Sequence, residues 1–325
     1  MDAFARKIDY LRISVTQRCN ERCLYCLPQG YKAWERKPDH LTADEIVRVV
    51  RVAAGMGFRK FRLTGGEPLV RGDLPEIVRA MAALPGVECL GLSTNGTRLA
   101  PLAQTLRGAG LRTVNISLDA LTAASYRRIT GGDVNAVLAG IRAAVAAGFE
   151  RVKLNCVLMR GANEQEIWPL VLFAAEHGLP LRLIEMMPLT TRQVLNEENF
   201  MSVEEAMERL RQRDELISQP SDYLGWGPAK YYRLRHTGAL VGFIGAMTNP
   251  HFCDTCNKIR LTADGKIRPC LGDHAELDLR DTLRHHAPDD DALRSLLQAA
   301  LQRKPLAHSF REAYQPCRPM TFIGG

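Results

Sequence analysis

Six of the nine cysteines fall into two tight groups. Cys19, Cys23 and Cys26 form a Cys-x3-Cys-x2-Cys array within CNERCLYC, and Cys253, Cys256 and Cys270 form a second triplet near the other end. Thiolates in such groups hold soft or borderline metals, chiefly zinc and iron–sulfur clusters. An odd cysteine count in a long chain whose first residues lack a signal-peptide core argues against a disulfide framework. A cubane usually takes four thiolates, so three on one short loop leave one iron free to bind something else. The alternative is a zinc site closed by a distant fourth ligand, since CNERCLYC contains no histidine. The second triplet has the same two readings: a zinc ribbon completed by His251 or His274, or a cubane whose open iron faces a substrate. Cys89, Cys156 and Cys317 stand alone, and Cys156, in an apolar run, reads as a small core residue.

The elements around these groups are legible. Between about residue 8 and residue 187, β-like runs alternate with amphipathic helical patterns. The runs are 10–15, 58–64, 87–94, 112–118, 151–159 and 179–186. Ile46, Val49, Val50 and Ala53 form one helical stripe; Val134, Val137, Leu138, Ile141 and Val145 form another. Thr42 with Glu45 and Ser202 with Glu205 read as capping boxes, and Asn163 with Glu166 as a weaker one. Gly57, Gly110 and Gly148 suit helix ends. Six βα units predict a parallel sheet, doubly wound or curled as a barrel, with ligands outside the carboxyl ends of its strands. The first triplet follows the first run, and Thr64-Gly65-Gly66-Glu67-Pro68 closes the second. Beyond about residue 190 the pattern changes to one helix and short, Gly- and Pro-punctuated strands. Residues 1–190 therefore read as the main domain and 191–325 as a smaller module over its open face. Within that module, TADGK reads as a hairpin turn that returns Cys270 to the Cys253–Cys256 pair.

Composition narrows the function class. The chain has 325 residues, 46% hydrophobic and 24% charged, and lacks an apolar run long enough to span a bilayer. The expectation is a cytoplasmic protein with no membrane partner. Its net charge of +7 is spread along the chain rather than gathered in stripes, which favours a small polyanionic ligand over nucleic acid.

The first triplet followed by TGGEP resembles the radical S-adenosylmethionine superfamily. Together with the second triplet, the CDTCNKIRL segment and the Gly324-Gly325 end, it is similar to the GTP 3′,8-cyclase family of molybdenum cofactor biosynthesis, essentially over the whole chain. The resemblance implies a partial, TIM-like barrel of six βα units with a C-terminal α+β module carrying the second cluster. It also implies two 4Fe–4S clusters, on Cys19, Cys23 and Cys26 and on Cys253, Cys256 and Cys270. Tyr25, Gly66, Ser117 and Met187 match positions that contact S-adenosylmethionine. Arg12, Arg62, Ser93, Lys153, Lys258, Ile259 and Arg260 match positions that bind GTP, and Lys258 and Arg260 are the implied catalytic groups. Basic side chains on buried strands, Arg182 among them, are costly unless they face a polar cavity, and a triphosphate would satisfy them. Lys258 stands where arginine is usual, losing the bidentate fork, and Gln17 stands where aspartate is usual. The implied reaction is radical closure of C3′ of GTP onto C8. The implied partners are GTP, an electron-donor protein and the enzyme that takes the product onward, and a homodimer is compatible with it. Arg318 is expected to add charge where the flexible tail enters the site. The rival readings are a peptide maturase with an auxiliary cluster and a non-catalytic, zinc-containing nucleic-acid-binding protein.

Overall fold

The computed structural model describes residues 1–27, 40–189, 195–220, 227–284, 289–312 and 314–324. The six runs become β1 (Tyr10–Ser14), β2 (Lys60–Thr64), β3 (Cys89–Thr94), β4 (Thr113–Ser117), β5 (Arg151–Leu158) and β6 (Leu181–Glu185). Between them lie α1 (Ala43–Gly55), α2 (Leu74–Ala82), α3 (Ala103–Gly108), α4 (Ala123–Thr130), α5 (Val134–Ala146) and α6 (Ile167–Glu176). All six strands are parallel and adjacent in chain order. A doubly wound sheet needs a reversal of strand order and a barrel does not, so this is the barrel-type arrangement.

The segment beyond residue 190 does more than cover a face. It contributes α7 (Val203–Arg211), β7 (Leu216–Ser218), β8 (Lys230–Leu234), β9 (Leu240–Ile244), β10 (Lys258–Leu261), β11 (Lys266–Arg268) and β12 (Leu277–Asp278). Helices α8 (Arg280–Arg284), α9 (Asp290–Gln302) and α10 (Met320–Ile323) follow. Strand β9 pairs parallel with β6, and β10 pairs parallel with β1. Both edges of the six-stranded sheet are thus closed by late strands, which satisfies backbone groups that an edge leaves open. Antiparallel β8 and β7 extend one side, and β11 and β12 the other.

Alternation divides the strands into two faces. Leu11, Ile13, Phe61, Leu63, Leu90, Leu92, Val114, Ile116, Leu154, Leu181 and Leu183 are buried in the main hydrophobic core, which also takes the α1 stripe Ile46, Val49, Val50 and Ala53. The intervening positions are mostly polar, with Gly91, Val157 and Ile184 as exceptions. In register across four neighbouring strands stand Arg268, Arg260, Arg12 and Arg62.

Local signals hold in most places. The Thr42–Glu45 capping box is present in both halves. Ser202 caps α7 through Glu205 N, but the Glu205 carboxylate pairs with Arg160 instead. Asn163 caps nothing. Its buried amide donates to the carbonyls of Asp119 and Val157 and its oxygen accepts from Met159 N, while α6 starts after Glu166. The expected box fails because Asn163 finds better partners in the β5 strand and the loop after β4.

Candidate active site

One cavity collects the chemistry. Its wall includes all six clustered cysteines, together with Arg12, Tyr25, Gly66, Ser93, Ser117, Asn155, Arg182, Met187, Lys258 and Arg260. Its volume is about 320 Å³, at the lower end of the ~300–1,000 Å³ usual for a small-molecule site.

The first triplet sits on a loop fastened from two sides. Arg22 N and Leu24 N donate to the last turn of α4, at Thr130 O (2.7 Å) and Ile129 O (2.9 Å). On the other side, Gly66 N and Glu67 N donate to Thr16 O and Arg18 O. A Cβ on Gly66 would stand 2.3 Å from Arg18 O. The second glycine of TGGEP therefore lets its loop lie directly against the segment leading into Cys19. Glu67 is a tie rather than an open acid: its carboxylate accepts from Leu69 N, Thr94 Oγ1 and Asn95 N.

Three carboxyls surround this triplet. Burial raises Glu21 to about 8, although Tyr126 donates to it at 2.8 Å. Burial likewise raises Glu67 to about 7 and Asp119 to about 6. Asp119 accepts from Tyr25 Oη at 2.6 Å and from Val157 N at 2.8 Å. Burial, with Glu67, Glu21 and Asp119 close by, pushes the thiols of Cys19 and Cys23 up, and Cys26 up to about 12. Free thiolates are disfavoured here, and bound metal would supply the missing positive charge.

The second triplet has the opposite surroundings. The hairpin is present: β10 and β11 pair with Arg260 opposite Arg268, returning Cys270 towards Cys256. Burial still pushes Cys253 and Cys270 up, with Lys304 opposing it, but at Cys256 Lys258 and Lys304 outweigh burial and bring the thiol down to about 7.

All nine cysteines are free. Among the described residues, no three His, Cys, Asp or Glu side chains gather about one ion position, as a closed tetrahedral zinc site needs. His251 is paired with Asp254 at 2.9 Å, and His274 Nδ1 lies 3.2 Å from Cys317. Three thiols on the wall of a shared cavity suit a cluster that spreads its ligands over separate irons.

Between the triplets runs the basic row. Burial, with neighbouring guanidinium groups, lowers Arg12 to about 10 and Arg260 to about 9, and both remain cations at neutral pH. Like charges on neighbouring strands repel, so the row is an energetic cost in the chain alone and a benefit once a polyanion lies on it. Arg62 differs. Its Nε donates to Tyr10 Oη (2.6 Å), and its terminal nitrogens donate to Leu92 O (2.7 Å) and Thr113 Oγ1 (3.0 Å). Gly91 leaves room for this guanidinium, since a Cβ there would meet it at 2.6 Å. Lys153 lies 3.4 Å from Tyr231 Oη, and burial with Arg182 nearby lowers it to about 6.

Of the residues singled out from sequence, Arg62 and Lys153 lie outside the cavity wall, on the same inward rows but against protein groups. Ile259 is fully buried in the core beside Leu11, on the face opposite Arg260, so only its backbone is available to a ligand. Arg318 does not add a free charge: it pairs with Asp264 at 2.5 Å. At the tail, Gly324 O accepts from the Arg260 guanidinium; Gly325 lies outside the described residues. Sequence reasoning missed Asp119, Tyr231 and Lys304. It also missed Glu185, whose buried carboxylate ties Val203 N, Met247 N and Thr248 N to the end of β6. For Asp119 and Glu185 the signal was a polar residue at or just beyond a strand end; Tyr231, inside β8, and Lys304, after α9, carried none.

Comparison with known proteins agrees with the geometry. Residues 13–174 match the Radical SAM superfamily, and residues 179–310 match Molybdenum Cofactor Synthesis C. A GTP 3′,8-cyclase of Moorella thermoacetica is 44% identical over 325 residues, covering 100% of this chain and 99% of that protein. GTP 3′,8-cyclase 1 of Pseudomonas aeruginosa is 44% identical over 329 residues, with 100% and 99% covered. The crystal structure of Streptococcus suis SuiB bound to precursor peptide SuiA superposes with a TM-score of 0.62, covering 93% of this chain and 66% of that one. At 16% identity that likeness shows the fold alone.

Proposed function

The chain belongs to the GTP 3′,8-cyclase family of the radical S-adenosylmethionine superfamily, and from that premise we propose how its own residues divide the work. The activity is the first step of molybdenum cofactor synthesis, cyclisation of GTP to 3′,8-cyclo-7,8-dihydro-GTP, with two 4Fe–4S clusters and S-adenosylmethionine as cofactors. When bound, the first cluster and S-adenosylmethionine would supply the radical chemistry that removes hydrogen from C3′ of GTP and lets C3′ close onto C8, with one further electron from the donor and a proton completing the product.

Cys19, Cys23 and Cys26 hold the first cluster, and Cys253, Cys256 and Cys270 the second. Tyr25, fixed by Asp119, together with Gly66, Ser117 and Met187, orients S-adenosylmethionine. Arg12, Arg182, Lys258 and Arg260 bind the triphosphate and its nucleoside, helped by Ser93 and by the backbone at Ile259. Arg62 and Lys153 support this row through Tyr10 and Tyr231, and Lys153 gains its full charge when the anion arrives. Arg260 and Lys258 stabilise charge during closure. Residues 1–190 carry the radical-generating half and 191–325 the half that presents GTP. The chain works in the cytoplasm with an electron-donor protein upstream and the product's next enzyme downstream. No described helix is long and apolar enough to cross a membrane.

What supports this reading most is that both cysteine triplets open onto one cavity with arginines in register beside it. The test is anaerobic reconstitution followed by reductant, S-adenosylmethionine and GTP deuterated at C3′. About eight irons per chain and deuterium in 5′-deoxyadenosine are expected; correctly loaded protein that forms none would overturn it.

A further inference from the structure

We propose that Lys304 is a positioning residue for the second cysteine triplet: its ammonium ties together the strands that lead to Cys256 and Cys270, and makes the cluster held there easier to reduce. This rests on the reading above that the triplet carries a cluster.

Lys304 follows the end of α9, where a lysine is commonplace because it complements the helix dipole. Its contacts go elsewhere. Nζ donates to Lys258 O at 3.0 Å and to Pro269 O at 2.9 Å. Those carbonyls lie two residues after Cys256 and one before Cys270. A single side chain thus bridges the start of β10 and the segment just after β11, holding the two thiols to a fixed separation. Its positive charge acts on all three thiols, Cys253, Cys256 and Cys270.

The residue is 3% exposed, and burying an ammonium is expensive unless an anion answers it. Among the described residues no carboxylate lies within ion-pair distance of Lys304. Arg6, the other cation near Cys253, is already matched by Asp2 at 2.7 Å. The group that answers Lys304 is therefore the set of thiolates. Reducing the bound cluster by one electron adds one negative charge to it and its thiolates, and a fixed ammonium stabilises the reduced form more than the oxidised form.

The experiment is a mediated dithionite titration of the reconstituted holoprotein, followed by EPR, with iron counted in every sample. In K304M the second cluster's midpoint is expected to shift to lower potential while the first cluster's stays unchanged; K304R should stay close to the parent protein. An unchanged second midpoint in fully loaded K304M would overturn the proposal. If K304M loses the second cluster, K304Q keeps hydrogen-bond donors without charge. A lowered midpoint in K304Q, or loss of its second cluster while K304R loads normally, supports the proposal; a parental midpoint overturns it. Loss of the second cluster in K304R as well would show a demand for shape alone and also overturn it. Failure of the underlying reading looks different, because the unmodified protein would then take up no iron at the second triplet.

Discussion

The two cysteine triplets share a cavity but not an environment. The first lies among the buried carboxyls Glu21, Glu67 and Asp119, the second among Lys258, Lys304 and Arg260. The difference sorts ligands. On the proposed assignment a sulfonium-bearing cofactor would be favoured beside carboxyls and a triphosphate beside ammonium and guanidinium groups, drawing each molecule towards one end of the same space. The asymmetry also separates the tasks. On that assignment the basic end would assist the extra negative charge of a reduced cluster, whereas the carboxyl-lined end, partly protonated by burial, would not.

Breaking the first triplet should have the largest effect. Cys23→Ser is expected to abolish 5′-deoxyadenosine formation and to lower iron from about eight to about four per chain, read by chromatography and metal analysis. Cys270→Ser should halve the iron too, yet spare the first cluster's EPR signal while cyclised product disappears. Full cyclase activity in that variant would mean that the second triplet is structural.

Next comes the basic row. Arg260→Ala removes a charged hydrogen-bond donor worth ~1.5–3 kcal/mol, so GTP binding should weaken about 10–100-fold in calorimetry, with S-adenosylmethionine binding unchanged. Equal losses for both ligands would erase the proposed division between the two ends.

Lys153 supplies a pH test. Held at about 6 without ligand, it takes up a proton when a triphosphate binds. GTP affinity should therefore fall as pH rises above 6, by at most ~10-fold per pH unit, and Lys153→Met should flatten that slope. Stability has the opposite sign. The unfolded lysine keeps its ordinary value of 10.5, so between about 6 and 10.5 the unfolded chain holds more protons. This group's contribution to ligand-free stability then rises with pH across that window, measurable by chemical denaturation. Smallest is Asp119→Asn, which swaps a charged acceptor of the Tyr25 hydroxyl for a neutral one. It should cost about 1 kcal/mol, or ~5-fold in KM for S-adenosylmethionine, leaving GTP binding unaffected.

Much of the site was legible because its residues carry local constraints. TGGEP follows a strand, and its second glycine is required by the approach of Arg18 O. Thr42 and Glu45 can satisfy each other within one turn. Asn163 had the same local look and went astray, because Asp119 and Val157 offer it buried carbonyls from elsewhere. Arg62 reads from sequence as a ligand-facing cation; three of its donors go to Tyr10, Leu92 and Thr113, partners that nothing adjacent in sequence announces. Lys304 was invisible for the same reason, sitting just beyond an ordinary helix end.

By itself the sequence determined the thiol triplets, the βα alternation and the inward positions of the basic residues, since period-two patterning records which face of a strand is buried. Only the tertiary structure decided that β10 docks on β1, setting Arg260 beside Arg12, and that Lys304 reaches the second triplet. Strand pairing at an open edge depends on which distant segment satisfies those backbone groups, and short-range periodicity carries no record of that choice.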